Sequence, residues 1–354
     1  MDAEDRASRL SGLRLAGLIC VPMALRAAIK LKVFDIMAQA GPDARLSASE
    51  MVHRMAATNP NAATALDRIL RILAANSILS FSLRPRDDGS EPEKVYGLTS
   101  ESRWLVPGDD GASVAPEMLL TLDKAVVESF YCLQDAVVEE GCIPFEKAHG
   151  TDVFEYGAKE PEFNKAYPDA MNNGSAIALA EVFKVYKGFD GVTEMVDVGG
   201  GTGVSIGFIV SRYPNFRGVN FDLPHIISHP PPLQGVEHVG GNMFEEIPNE
   251  ETIFMKWILH NWDDGRCVTL LKKCWRALPH GGKVIIVEFV IPPVLGTDAV
   301  SRYTLSADLF MMACNPGGKE RTVTEFYGLA MAAGFAEMKN CPIGHGLHVI
   351  EFHK

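Results

Sequence analysis

The sequence predicts an α/β fold in which helices and a hairpin come first and a parallel sheet follows. A short apolar run at residues 194–198 breaks into glycines and continues as an apolar helical pattern, as in the first half of a βαβ unit. Over residues 16–76, apolar side chains instead recur at helical spacing. Further strand-like runs alternate with helical patterns, as in a parallel sheet: 218–221, 236–239, 253–258 and 283–290.

Composition and charge narrow the class of protein. The 354 residues are 47% hydrophobic, which is enough for two domains with cores of their own. The 45 acidic residues exceed the 33 basic ones and no basic block occurs, so we expect no nucleic-acid partner. No run reaches the roughly 18 uninterrupted apolar residues of a membrane span, so we expect no membrane partner.

The seven cysteines indicate a cytoplasmic protein. Their number is odd, no C-x-x-C pair occurs and most lie in apolar runs. This pattern is typical of reduced core thiols in a reducing compartment and not of a disulfide framework. The lack of paired cysteines also argues against a zinc site.

The first hundred residues predict a winged helix. Residues 15–25 are expected to form a buried amphipathic helix, and 46–55 carry a cap-like serine before a short helix. A third helix is expected over 61–76. Two strands then flank the turn-rich segment 84–92, which predicts a hairpin.

A winged helix is often a DNA reader, so a winged-helix transcription regulator is one alternative. The third helix offers only Arg68 and Arg71, against Asp67, and its remaining surface is Ala and Leu. Such a surface suits packing against another subunit better than contact with a major groove. We therefore expect residues 1–110 to form a winged-helix-like dimerisation domain in a homodimer.

The middle of the chain, residues 112–190, is expected to be mostly helical, with an aromatic and glycine-rich loop at 141–156. Phe163, Tyr167 and Met171 lie just beyond this loop. Flat or polarisable side chains so placed could enclose an aromatic substrate. The same spacing is also typical of an ordinary core, so the residues alone leave both interpretations open.

The glycine loop at 199–203 predicts a nucleotide-like ligand of a particular kind. It lacks the lysine of a triphosphate-binding loop and the third glycine of a dinucleotide fingerprint. Asp222 follows the next strand, where a carboxylate can accept both hydroxyls of a ribose. The pair suits adenosine without a pyrophosphate and resembles the S-adenosylmethionine loop of Rossmann-like methyltransferases.

Three titratable residues are expected at the carboxyl ends of the later strands: His260, Glu288 and Glu320. Methyl transfer to a phenol, whose pKa is near 10, needs a base at neutral pH, and a neutral imidazole can act as one. Two carboxylates would orient the imidazole and stabilise the imidazolium. Taken singly, His260 could instead cap the helix that follows, and Glu288 could be a salt-bridged core acid.

The remaining elements complete the sheet. A helix is expected over 264–278, with Asp263 and Asp264 at its N-terminal end. Thr322 and Glu325 form a capping-box pattern before a late helix. Residues 346–352 predict a last strand, antiparallel to its neighbour.

Six motifs together resemble those of the plant caffeic acid and flavonoid O-methyltransferases, the metal-independent class. The resemblance runs essentially from end to end, and it includes the winged-helix front and the helical middle. The motifs are VDVGGGTG (196–203), NFDLPH (220–225), GGNMF (240–244), FMKWILHNW (254–262), GKVIIVE (282–288) and NPGGKERT (315–322).

The resemblance implies S-adenosylmethionine as cofactor, no metal, and His260 as general base with Glu288 and Glu320 beside it. At position 242, where many relatives carry an acid that accepts the adenine amino group, this chain has an asparagine, which keeps an acceptor oxygen but loses the charge. The implied cofactor-binding residues are Gly199, Asp222, Leu223, Asn242, Met243, Phe244 and Lys256.

The resemblance also implies a substrate wall. Gly157 and Gly174 stand where caffeate-type relatives often carry histidines, which is expected to leave room and to favour a larger or different phenol. The wall positions are Leu120, Thr121, Val126, Val153, Phe163, Tyr167, Met171, Phe310, Met311 and Asn315.

The expected protein is a cytoplasmic, homodimeric, S-adenosylmethionine-dependent O-methyltransferase that methylates a phenolic hydroxyl of a plant phenylpropanoid, flavonoid or stilbenoid. Its expected domains are 1–110 (dimerisation), 111–190 (helical substrate wall and linker) and 191–354 (Rossmann-like, cofactor-binding). Methylation of an alkaloid or of an aromatic amine is an alternative of the same class. The transcription regulator and a catalytically inactive scaffold are alternatives of other classes.

Overall fold

The chain forms two compact units in a computed structural model, Met1–Asp123 and Lys124–Lys354. The structure describes residues 3–109, 111–213, 215–228 and 232–354.

The first unit is a bundle of short helices with a two-stranded hairpin. β1 and β2 pair antiparallel, and a capping box of Ser47 and Glu50 starts α4. The hairpin and the helices predicted within 46–55 and over 61–76 are therefore confirmed. The elements are α1 (Ala3–Ala16), α2 (Cys20–Lys30), α3 (Val33–Gln39), α4 (Ala48–Arg54), α5 (Ala62–Ala75), β1 (Leu79–Arg84), β2 (Glu93–Leu98), a 3-10 helix (Ser102–Leu105) and α6 (Ala115–Thr121).

The core of the first unit lies between the helices and the hairpin. Phe34 and Met37 on α3 and Leu70 and Leu73 on α5 are fully buried there, together with Tyr96 on β2. These residues follow the helical spacing of the sequence, because positions three and four apart share one face of a helix.

The prediction of one buried helix over residues 15–25 is wrong. The chain breaks between α1 and α2, and Leu15, Leu18 and Ile19 are at least half exposed in the single chain. Among the described residues no single helix is long and apolar enough to cross a membrane, and only the pair Asp5–Ala16 and Cys20–Lys30, which is bent by 46°, has that length and composition.

The second unit contains the large sheet. The predicted loop at 141–156 is mostly helical, because Pro144 and the capping side chain of Asp152 start two short helices within it. The elements are α7 (Lys124–Phe130), α8 (Leu133–Val138), α9 (Pro144–His149), α10 (Val153–Lys159), α11 (Pro161–Val185), β3 (Glu194–Val198), α12 (Val204–Arg212), β4 (Arg217–Asp222), β5 (Val236–Gly240), β6 (Thr252–Lys256), a 3-10 helix (Leu259–Asn261), α13 (Asp264–Ala277), β7 (Lys283–Phe289), α14 (Ala299–Cys314), α15 (Val323–Ala333), β8 (Glu337–Gly344) and β9 (Leu347–His353).

The sheet has the order β5-β4-β3-β6-β7-β9-β8, with β3 to β7 parallel and β9 antiparallel to β7. The parallel sheet and the antiparallel last strand are therefore confirmed. β8 was not predicted, because its sequence mixes polar and apolar residues without a continuous apolar run and contains Pro342, which suits an edge strand. The chain order reverses between β3 and β6, which is where open α/β sheets bind their ligands.

Both faces of the sheet are covered by helices. Val196 and Ile253 point to the face where α13 and α15 pack, whereas Met195 and Phe254 point to the face covered by α11 and α12. Successive strand residues alternate between the faces, so two covered faces require continuous apolar runs. All seven cysteines are free, and Cys267, Cys274 and Cys314 are buried.

A buried polar cluster fastens β7 and β9 to the end of α11. The ammonium of Lys283 donates to Glu351 at 2.7 Å and to the carbonyl of Gly188 at 2.8 Å. The hydroxyl of Tyr186 also donates to Glu351, and His353 lies 2.9 Å from its second oxygen. Burial alone would raise the pKa of Glu351, but these partners lower it to about 2.

We predict that Glu351→Gln destabilises the protein by about 3 kcal/mol at neutral pH, because a carboxylate whose pKa is lowered by folding stabilises the folded state. This contribution is complete above the unfolded-state pKa of about 4.3 and disappears as the pH falls towards about 2. Urea unfolding of both proteins from pH 7 to pH 3 measures it. The control is Glu337→Gln, since Glu337 forms an exposed pair with Lys339 at 3.8 Å. An equal effect of the two substitutions would contradict the prediction.

Candidate active site

The carboxyl ends of the parallel strands bring the predicted site residues to one edge of the sheet. Gly199 directly follows β3, Asp222 ends β4 and Lys256 ends β6. Glu288 is the penultimate residue of β7, and the segment 242–244 follows β5. Strands β4, β3, β6 and β7 are consecutive neighbours, so these residues line a continuous crevice.

The glycines after β3 are required by close packing. Gly199 has φ +73°, and a Cβ there would lie 2.5 Å from the side chain of Ile258. A Cβ on Gly200 would collide with the amide oxygen of Asn220. The N–H of Gly201 donates to Asp222 Oδ2 at 2.8 Å, so the loop is tied to the acid on the next strand.

Asp222 is held by two backbone donors. Besides Gly201, the N–H of Leu223 donates to Asp222 Oδ1 at 2.6 Å. Burial raises the pKa of Asp222, while these two bonds oppose the rise. Each carboxylate oxygen has two lone pairs, so the group can still accept two hydroxyls.

Asp197 is a site residue that sequence reasoning missed. It lies on β3 and is fully buried, yet its Oδ2 accepts no hydrogen bond from the described part of the chain. Burial raises the pKa of Asp197 to about 7, and the positive charge of Lys256 opposes the rise. The available signal was an acid inside an apolar strand, separated from the glycines only by Val198.

The segment after β5 combines a turn with an aromatic side chain. Asn242 Oδ1 accepts the N–H of Phe244 at 3.0 Å, and the amide of Asn242 donates to Glu245 at 3.0 Å. The Asn242 oxygen, which the sequence suggested as an acceptor for the adenine amino group, therefore already accepts one hydrogen bond. The carboxylate of Glu245 lies beside it. The ring of Phe244 meets that of Trp262 edge to face, with centroids 5.0 Å apart.

The indole of Trp257 occupies the space that the missing side chain of Gly174 was expected to leave for the substrate. A Cβ on Gly174 would lie 2.8 Å from the indole, so the prediction of additional room there is wrong. The indole is flanked by Lys256 Nζ, 3.4 Å from a ring centroid, and by the stacked ring of Phe289. At Gly157, a Cβ would make an ordinary 3.5 Å contact with Phe163.

The three predicted titratable residues meet. His260 Nδ1 lies 2.9 Å from Glu320 Oε1 and 3.7 Å from Glu288 Oε2. The other oxygen of Glu288 accepts the N–H groups of Ile258 and Leu259 at 2.9 and 2.8 Å. Both carboxylates are almost completely buried, and the side chain of His260 is 11% exposed.

Electrostatics favours a proton on this imidazole. Burial lowers the pKa of His260, but the charges of Glu288 and Glu320 outweigh burial and hold that pKa above its usual 6.5. Lys256 opposes the rise. Burial also raises the pKa of Glu288, while the nearby imidazole lowers it.

The predicted substrate-wall residues fall on helices of both units. Leu120 and Thr121 lie on α6 of the first unit. In the second unit, a row of rings joins the predicted wall to the predicted cofactor segment through two residues to which the sequence assigned no role, Phe154 and Trp262. The other wall positions are Val126 on α7, Val153 on α10, Phe163, Tyr167 and Met171 on α11, Phe310 and Met311 on α14, and Asn315 directly after α14.

The end of α14 is connected to the turn that carries His260. The amide of Asn315 donates to Asn261 Oδ1 at 3.1 Å and contacts the sulfur of Met311 at 3.2 Å. Two wall positions are thus held beside the residue that follows the candidate base.

Comparison with known proteins shows the family of this chain. Residues 130–336 match the O-methyltransferase domain, and residues 13–108 match the O-methyltransferase dimerisation domain. The chain belongs to the O-methyltransferase family. The enzyme depends on S-adenosylmethionine, acts on a small molecule and carries a dimerisation domain.

This O-methyltransferase is 57% identical to the (S)-scoulerine 9-O-methyltransferase of Coptis japonica, across its whole length and 91% of the relative. It is 47% identical to caffeic acid 3-O-methyltransferase 1 of Populus kitakamiensis, over 99% of this chain and 95% of the relative. The fold is also that of human N-acetylserotonin methyltransferase, solved in complex with S-adenosylmethionine (TM-score 0.81, 22% identity, 100% and 99% coverage). The Rossmann-like fold class is therefore confirmed.

The crevice fits S-adenosylmethionine. Side chains are excluded at Gly199 and Gly200, while a Cβ position at Gly201 has no atom within 4 Å. Asp222 retains acceptor capacity for ribose hydroxyls, and the free oxygen of buried Asp197 can accept a further donor. The cofactor is rich in such donors, so the acids of the crevice match its chemistry.

We predict opposite effects of an added methyl group at the two glycines. Gly174→Ala should lower the melting temperature, because the Cβ displaces the Trp257 indole, and overpacking costs about 1–3 kcal/mol. Gly157→Ala, the control on α10, should be neutral or stabilising by up to about 1 kcal/mol, because alanine is the better helix former and the space is available. Thermal unfolding and tryptophan fluorescence measure both. A stable Gly174→Ala with unchanged fluorescence would contradict the placement of Trp257.

Proposed function

We propose that this enzyme methylates a phenolic hydroxyl of a plant phenylpropanoid, flavonoid or stilbenoid, with His260 as general base. The observation that carries the proposal is the hydrogen bond between His260 and Glu320, with Glu288 on the same side of the imidazole. A catalytically inactive scaffold has no use for a buried imidazole beside two buried carboxylates, because burying these groups is costly.

The carboxylate of Glu320 can only accept a hydrogen bond, so His260 Nδ1 carries the proton and Nε2 keeps its lone pair when the ring is neutral. Nε2 takes the proton of the phenol, and the two carboxylates stabilise the imidazolium that forms. When bound, S-adenosylmethionine supplies an electrophilic methyl group and a positive charge that favours a phenolate. Glu288 also keeps the turn in place through its bonds to Ile258 and Leu259.

The proposed cofactor residues divide by chemistry. Asp222 accepts the ribose hydroxyls, and the glycine loop at Gly199 allows close approach of the backbone. Phe244, held edge to face against Trp262, offers an apolar surface to the adenine. The whole proposed set is Gly199, Asp222, Leu223, Asn242, Met243, Phe244 and Lys256.

The proposed substrate wall is apolar and aromatic. The rings of Phe163 and Tyr167 lie 29° from parallel with centroids 6.4 Å apart, and Met311 is held beside the His260 turn through Asn315. Such side chains suit a flat phenol. The remaining proposed wall residues are Leu120, Thr121, Val126, Val153, Met171, Phe310 and Asn315.

A phenolic alkaloid is the second candidate substrate. It is supported by the 57% identity to an enzyme named for (S)-scoulerine, against 47% for one named for caffeic acid. The sequence favoured a larger flavonoid or stilbenoid because Gly174 was expected to leave room for it. Trp257 fills the space beside Gly174, so that reason no longer holds there.

We also propose a cytoplasmic homodimer with domain boundaries near residues 110 and 190. The dimerisation match begins at residue 13, and the end of α1 and the break before α2 carry exposed Leu13, Leu15, Leu18 and Ile19. An apolar surface of this kind is stabilised when a second copy covers it.

Methyl transfer to a panel of substrates tests the function. The panel contains hydroxycinnamates, flavonoids, stilbenoids and phenolic alkaloids, and the product is a gain of one methyl group by mass. We predict that EDTA does not change the rate, although ligand atoms of His260, Glu288 and Glu320 lie within 4.8 Å of one another and could otherwise hold a cation. Loss of turnover with EDTA and recovery with a divalent metal would replace the base mechanism with a metal one.

The residue roles are tested by two substitutions with opposite effects. His260→Ala should lower kcat by about 10²- to 10⁴-fold and leave the affinity for S-adenosylmethionine nearly unchanged, because the imidazole acts on the phenol. Asp222→Ala should first weaken cofactor binding, because it removes a ribose acceptor. Calorimetric titration and steady-state kinetics separate the two. Equal losses of turnover and cofactor affinity in His260→Ala would reject the base assignment.

A further inference from the structure

Arg321 is a fully buried arginine next to Glu320, and the sequence assigned it no role. Its guanidinium donates to the carbonyls of Leu259 at 2.8 Å and Trp262 at 2.7 Å. It also donates to Asp264 Oδ1 from Nε at 3.0 Å and from a terminal nitrogen at 2.8 Å. The two carbonyls stand on either side of His260 in the chain.

A guanidinium suits this position for a geometric reason. Its donors lie in one rigid plane, so it fixes the two carbonyls and the carboxylate relative to one another, whereas a lysine ammonium would not. Burying a charge is costly unless it is paired and its donors are satisfied. The side chain of Asp264 is 56% exposed, so its carboxylate alone compensates only part of the cost of burying the guanidinium. The carbonyls of the turn supply the rest by accepting its other N–H groups.

The backbone around Arg321 connects the other members of the site. Its carbonyl accepts the N–H of Ile291, just beyond the end of β7, which carries Glu288. Lys319, two residues before Arg321, donates its N–H to the carbonyl of His260 at 2.9 Å. The His260 turn, the Glu320 segment and the end of β7 therefore meet at this one residue.

We propose that Arg321 is a positioning residue for methyl transfer, whose guanidinium holds the turn so that the His260 imidazole faces both carboxylates. The proposal rests on the proposed function, because the geometry of the turn affects the reaction only if His260 is the base. Arg321 makes these contacts through the backbone of the turn and has no contact with the imidazole itself in the described chain.

The proposal has a consequence for the pH profile. The charged groups that face His260 are Glu288, Glu320 and Lys256; burial and Lys256 lower its pKa, and the two carboxylates raise it. The base must be neutral, so kcat falls as the pH drops through the raised pKa. If the turn is displaced, the carboxylates raise the pKa of His260 less. The acid limb of the kcat profile then moves to lower pH, and the plateau value of kcat falls because the base is misplaced.

Arg321→Met and Arg321→Lys test the proposal against a matched control, Lys283→Met. Lys283 is also a cation that holds one carboxylate and one carbonyl, but it is only partly buried and lies at the Glu351 cluster. For Arg321→Met we expect kcat to fall by about 10- to 100-fold, since a displacement of about 1 Å can cost that much. KM and cofactor affinity should change less than about twofold, and the acid limb should move to lower pH. Arg321→Lys should recover only part of the loss.

Lys283→Met should lose stability and keep the wild-type pH profile. If Arg321→Met shows the same profile and the same small loss of kcat as this control, the positioning role is overturned. Should Arg321→Met not fold, Arg321→Lys and Asp264→Asn decide the question, because each weakens the fork while keeping most of the side-chain volume. If His260→Ala retains turnover, the proposed function is rejected. If His260→Ala is inactive but the substitutions of Arg321 and Asp264 leave kcat and its pH profile unchanged, only the positioning role is rejected.

Discussion

The imidazole of His260 lies against two buried carboxylates, and this arrangement requires three segments that are far apart in the chain to meet. The turn after β6 carries the imidazole, the end of β7 carries Glu288, and the segment before α15 carries Glu320. Burial favours the neutral ring, and the carboxylates favour the charged ring. Because the carboxylates outweigh burial, His260 can still take up a proton although it lies in the interior of the protein.

The order of the strands explains why a cofactor crevice and this imidazole are neighbours. β3 and β6 are adjacent although their chain segments are not consecutive, and the crevice opens where the order reverses. The glycine loop ends one strand and the His260 turn follows the other. Ile258, within that turn, packs where a Cβ on Gly199 would lie, so the close approach of the loop and the position of the turn depend on each other.

Two buried charge clusters hold the second unit in a defined geometry. Glu351 and Lys283 connect the antiparallel edge of the sheet to the end of α11, and Arg321 and Asp264 connect the His260 turn to the Glu320 segment. Buried charges are expensive unless every donor finds an acceptor, so alternative arrangements of these segments are strongly disfavoured. Neither cluster could be predicted from the sequence, because its members are separated by roughly 60 residues or more.

The sequence by itself determined the features that depend on local chemistry: two helices and the hairpin of the first unit, the parallel strands, the capping serine before α4, the capping box at Thr322, and a glycine loop next to an acid. It also named His260, Glu288 and Glu320 as residues expected to meet. Only the tertiary structure decided what fills the space beside Gly174, that Asp197 Oδ2 accepts no hydrogen bond from the described residues, and where the guanidinium of Arg321 points. Periodicity and turn chemistry act over a few residues, whereas packing and the pairing of buried charges depend on contacts between distant segments.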